Sequence, residues 1–168
     1  MNNNPKIPDF KKTVMRAMSA DRPMFFPHIL MPKYDGLWAM WDGEKFISKT
    51  GKAWNYQVVK RFEPDQNFTL PVSGEFWIPN SRLGDVTSAV GLMRDDEGPG
   101  IENVRFIMHD LPRSTKSALD RLSSLWEFKN ESLVPPTWEP TKMRFIKSLT
   151  QYEDVKEEFL KISPEGVM

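Results

Sequence analysis

The stretch MPKYDGLWAMWDG, residues 31–43, decides how the rest of the chain reads. Leu37, Trp38, Ala39, Met40 and Trp41 form an aromatic and aliphatic run of strand character, and the Asp42-Gly43 pair after it is a strong hairpin signal. Ahead of that run, Lys33, Tyr34, Asp35 and Gly36 place a cation, a carboxylate and a permissive backbone in one short turn. Read alone, the tetrapeptide suits a structural turn better than a site, with Asp35 supplying a local hydrogen bond and Gly36 the freedom to turn. The remaining composition raises the standing of the lysine.

The chain has 168 residues, enough for one domain with a real core. It contains no cysteine and only His28 and His109 as histidines, which removes disulfides, thiol nucleophiles, cysteine-held zinc and any histidine-rich metal site. Lys+Arg and Asp+Glu both number 23, so no net field gathers nucleic acid, and a nucleic-acid surface would have to be a local patch. The opening MNNNPKIPDFKK lacks the apolar core of a signal peptide, and no window is long and apolar enough for a membrane span. A cytosolic monomer away from membranes, in a bacterium or a phage-infected host, is the expectation. With no serine elbow either, Lys33 is the best nucleophile on offer. A neutral lysine amine can attack a carbonyl, or the α-phosphorus of a nucleoside triphosphate with divalent metal held by carboxylates. Asp35, Glu75, Asp110 and Glu165 each fall at a predicted strand end or at a turn beside one.

The pattern predicts strands over residues 25–31, 37–41, 45–48, 68–78, 104–111 and 143–146, and helices over 9–20, 56–62, 85–93, 117–128 and about 152–160. Pro135, Pro136 and Pro140 mark a connector. Interleaved hairpins and helices give an α+β class with a mixed or antiparallel sheet. Residues 1–24 read as a helical extension, with Lys11, Lys12 and Arg16 on a solvated face, and residues 25–168 as the main domain. Trp41, Trp54, Trp77, Trp126 and Trp138 read as packing residues, His28 as structural, and the DDEG loop from Asp95 as a solvated turn. The final SPEGVM turns and then becomes apolar, as a strand would, so a continuation beyond Met168 is expected.

In order, KYDG, SKTGK, SGEFW, FIMHDLP and SPEGVM resemble the motifs of the covalent nucleotidyltransferases, above all the small bacterial and phage ATP-dependent DNA ligases. The resemblance implies two antiparallel sheets flanked by helices in an ATP-grasp-like arrangement, with the nucleotide between them. It implies ATP and Mg²⁺ as cofactors, nicked DNA as partner, and Lys33 as the adenylylated residue with Asp35 beside the reacting phosphate. Met31, Trp38, Glu75, Phe106 and His109 fall at nucleotide-binding positions, Lys49 at a DNA-phosphate position, and Asp35, Glu75 and Glu165 at metal positions. The chain departs from the family where Trp38 replaces an arginine, Lys49 an arginine, Ser73 an aspartate and His109 a phenylalanine. An indole cannot supply the forked donors of a guanidinium. The Lys-x-Lys motif and the OB domain of the family are absent from these residues, so a downstream OB domain or a complementing polypeptide is an expected partner, and weak activity is expected of the chain alone. RNA ligases and capping enzymes share the lysine motif, and a non-catalytic nucleotide- or DNA-binding remnant is the reading from another class.

Overall fold

The computed structural model describes residues 25–168; the expected helix over 9–20 and its basic residues lie outside them. Five strands make the main sheet: β2 (Leu37–Trp41), β3 (Phe46–Ser48), β4 (Val72–Trp77), β5 (Arg105–Asp110) and β6 (Trp138–Pro140), in the order β3-β2-β4-β5-β6. Every neighbouring pair is antiparallel except β5 and β6, which run parallel. A second, two-stranded antiparallel sheet joins β1 (His28–Leu30) to β7 (Arg144–Ile146). The helices are α1 (Tyr56–Val59, continued by a 3-10 turn over Lys60–Phe62), α2 (Leu83–Val90), α3 (Ala118–Asn130) and α4 (Leu149–Leu160). No helix among the described residues is long and apolar enough to cross a membrane.

The hairpin forms where the Asp42-Gly43 signal places it. The Asp42 carboxylate accepts the amides of Glu44 and Lys45 at 2.9 and 3.0 Å, and Gly43 takes φ +109, where a side chain would be strained. Helix α2 starts two residues before its predicted position because the Asp85 carboxylate accepts the Arg82 amide at 2.9 Å and caps the first turn. The proline-rich connector hides β6. Prolines are tolerated there because β6 is the edge strand, and Trp138, fully buried, draws it onto the sheet.

Alternation along β4 sends Val72, Gly74 and Phe76 to one face and Ser73, Glu75 and Trp77 to the other. The first face carries the main core. Phe46, Phe76, Phe106 and Trp138 pack edge-on or tilted with centroids 4.8–5.8 Å apart, beneath Val58, Val59 and Phe62, the buried side of α2, and Leu122 and Leu125 of α3. Each core indole finds a carbonyl: Trp138 Nε1 donates to Phe62 O at 2.5 Å, Trp41 to Phe68 O at 3.1 Å and Trp54 to Val90 O at 2.6 Å. Phe106 therefore cannot stack on a base, as its motif position implied; it is 0 % exposed and sits opposite Phe76 inside this cluster. A smaller core of Leu30, Ile146, Val155 and Phe159 joins the two-stranded sheet to α4.

Trp138 ties the edge strand to the 3-10 turn, so its truncation should be costly. Trp138→Ala is expected to lose about 3–5 kcal/mol and Trp138→Phe less, as measured by urea unfolding.

Candidate active site

The lysine turn is set by backbone pairing. Met31 and Met168 exchange N–H···O bonds of 2.7 Å each, Pro32 bridges Val167 antiparallel, and the Lys33 N–H donates to Gly166 O at 2.9 Å. The final residues thus pair with residues 31–33 through an isolated antiparallel bridge. Both the N–H and the carbonyl of Met31 are engaged by Met168 in this pairing. Beyond Lys33 the chain crosses β4 so closely that a Cβ on Gly36 would strike Phe76 O and meet Glu75 Cγ at 2.8 Å. Glycine is required there by this approach, which brings the turn against Glu75.

Around the turn the charges converge. Lys33 Nζ pairs with the Glu165 carboxylate, both side chains 40 % exposed. Burial pushes the Glu75 carboxyl up to about 7; the charge of Glu165 adds to this, Lys33 and the Gly36 N–H oppose it, and Asp35 contributes a smaller rise. Glu75 thus feels the charges of Glu165, Lys33 and, more weakly, Asp35. Trp38 sits directly across from Glu75 in the β2–β4 register, on the same face, where the motif would place a guanidinium. Lys49 is exposed in the turn after β3 and makes no ion pair with another described residue.

Other candidates separate from this group. Asp110 is 2 % exposed and takes Arg121 Nε of α3 at 2.5 Å, so this carboxylate anchors a helix. His109 falls at the β4–β5 irregularity, with its ring stacked on Tyr34 at 5.8 Å and 24°. Its Nε2 is buried without a partner, and burial holds the imidazole down to about 4, hence neutral at pH 7. One face of His109 is therefore covered by Tyr34. Tyr34 also meets Trp77 edge-on at 5.0 Å, and its hydroxyl bonds to Thr141 and to the Lys142 backbone.

Among the described residues no three of Asp, Glu and His stand close enough together to hold a metal ion, so the expected cage of Asp35, Glu75 and Glu165 is not formed. Glu165 is drawn to Lys33 instead. Mg²⁺ takes one or two carboxylates and its remaining ligands from phosphates and water; Glu75 and Glu165, whose charges act on each other beside Lys33, are the carboxylates that could hold one here.

Sequence reasoning passed over Ser163. Its hydroxyl donates to the Lys33 carbonyl across 130 residues of chain, and its place two residues before Glu165 is the signal that could have marked it.

No protein-family model and no curated protein sequence matches the chain. Solved structures do. A Lig E DNA ligase, from a study of DNA binding with a minimal scaffold, superposes with a TM-score of 0.63 at 22% identity over 83% of this chain and 53% of that one. A Chlorella virus DNA ligase-adenylate gives 0.66 at 21% identity over 86% and 53%, and a second structure of it 0.64 at 17% over 91% and 57%. The chain spans about half the length of these solved ligases. Its two sheets and flanking helices share the fold of these solved DNA ligases.

Proposed function

We propose that the chain is the adenylation part of an ATP-dependent polynucleotide ligase that seals nicks in DNA, of the kind used in repair and replication. The observation that carries this reading is the Lys33–Glu165 ion pair beside the buried Glu75 within that fold. Lys33, freed of its proton and of Glu165, attacks the α-phosphorus of ATP. The new N–P bond forms as the bond to the bridging oxygen breaks, and pyrophosphate leaves. The AMP then passes to a 5′-phosphate, and a 3′-hydroxyl displaces it to close the strand. Mg²⁺ held by Glu75 and Glu165 would neutralise charge on the phosphates. Lys49 stands where a phosphate of the DNA would be met, and a downstream OB domain would add the positive charge that this site lacks.

Trp38 favours a second reading, a nucleotide binder without efficient chemistry, because an indole beside Glu75 stabilises no developing phosphate charge. Incubation with α-labelled ATP and Mg²⁺, alone and joined to an OB domain, followed by denaturation, separates the two. Covalent label that Lys33→Ala abolishes is expected. No label in either form supports the binder, and label from GTP in place of ATP points to capping chemistry.

Trp38→Arg restores a fork facing both Glu75 and the nucleotide. It should tighten ATP binding about tenfold, the worth of one charge-assisted bond, as read by calorimetry. Unchanged affinity would make Trp38 a packing residue.

Glu75 also sets a pH dependence of stability. Its folded carboxyl keeps its proton to about pH 7, whereas an unfolded one releases it near 4.5, so stability falls as pH rises through that window. Glu75→Gln should match the native chain below pH 4.5 and exceed it at pH 8 by roughly 3 kcal/mol at most. Denaturant melts at the two pH values give the comparison.

A further inference from the structure

Lys33 is gripped at three points by one short turn after α4. Its N–H donates to Gly166 O at 2.9 Å, its carbonyl accepts the Ser163 hydroxyl, and its ammonium pairs with Glu165. Ser163 is only 1 % exposed, so its hydroxyl is not there to meet water. Its own N–H is bonded to Phe159 O at 2.9 Å, at the end of α4, and Phe159 is fully buried in the small core. A continuous line of bonds therefore runs from the packed helix through Ser163 to the backbone of Lys33.

We propose that Ser163 is a positioning residue for Lys33: by holding the Lys33 carbonyl it fixes the backbone from which the reacting amine is presented. The inference rests on the adenylylation reading above. A lysine amine stands at the end of a flexible four-carbon stem, and its ion pair with Glu165 is half exposed and weak. The Gly166 bond fixes one side of the Lys33 peptide frame, and the Ser163 bond fixes the other. Without the hydroxyl the carbonyl swings, the stem starts from a range of directions, and the amine reaches in-line geometry less often. Binding of the triphosphate, which does not contact Ser163 in this scheme, is left as it was.

The test measures covalent labelling of the full chain by α-labelled ATP with Mg²⁺, at a temperature well below the melting point of each variant. Ser163→Ala should slow labelling at saturating ATP by roughly 10–100-fold, the scale of a small misplacement of a reacting group, with the half-saturating ATP concentration unchanged within about threefold. Ile146→Val, in the same small core, provides a destabilised variant with the hydroxyl intact and should label at the native rate. If Ser163→Ala does not fold, Ser163→Cys, which keeps the volume with a weak donor, is judged by the same two criteria. A native saturating rate in the Ser163 variant, or equal slowing in Ile146→Val, overturns the inference alone. A native chain that takes no label, alone or joined to an OB domain, overturns the adenylylation reading, and this inference with it.

Discussion

The antiparallel pairing of residues 31–33 with Gly166, Val167 and Met168 is the constraint on which the site depends. It joins the two halves of the described chain, because β1 leads into residues 31–33 and α4 leads into the partner segment. The small core of Leu30, Ile146, Val155 and Phe159 holds both lead-ins, and Val167 packs against it. With the backbones paired, Glu165 is delivered to the Lys33 ammonium and Ser163 to its carbonyl. On the other side, the close passage of Gly36 over β4 fixes the distance to Glu75. A lysine on a loop is held in place here because packed elements bracket it on both sides.

The electrostatics follow from that geometry. Glu165 pairs with the Lys33 ammonium, and Glu75, buried beside them, keeps its proton toward neutral pH. A guanidinium opposite Glu75 would relieve this crowding; the chain has Trp38 there instead. The register position opposite Glu75 therefore carries no positive charge, and Lys49 sits at an exposed turn after β3. Mg²⁺ and a following domain are the remaining sources of that charge in the reading favoured above.

Much of this was legible locally. The Leu37–Trp41 strand, the Asp42-Gly43 hairpin and the helix over Ala118–Asn130 announce themselves through alternation, turn chemistry and 3.6-residue spacing. Three features did not. Strand β6 is masked by its prolines, since an edge strand needs fewer donors than local rules assume. Phe106 and His109 share a motif, yet the irregularity between β4 and β5 separates their fates: Phe106 enters the core and His109 meets Tyr34. Asp110 looks like another site carboxylate in the sequence, but Arg121 claims it from a helix eleven residues on.

The sequence by itself determined most of the element types, the hairpin turn and the order of the motifs, because these rest on short-range periodicity and on residue chemistry. Only the tertiary structure decided which motif residues meet. The Ser163 bond to Lys33 spans 130 residues, and the sorting of Glu75 from Phe106 depends on strand register. Both are properties of pairing between distant segments, and no local pattern in the chain encodes the distance or the face on which two such segments meet.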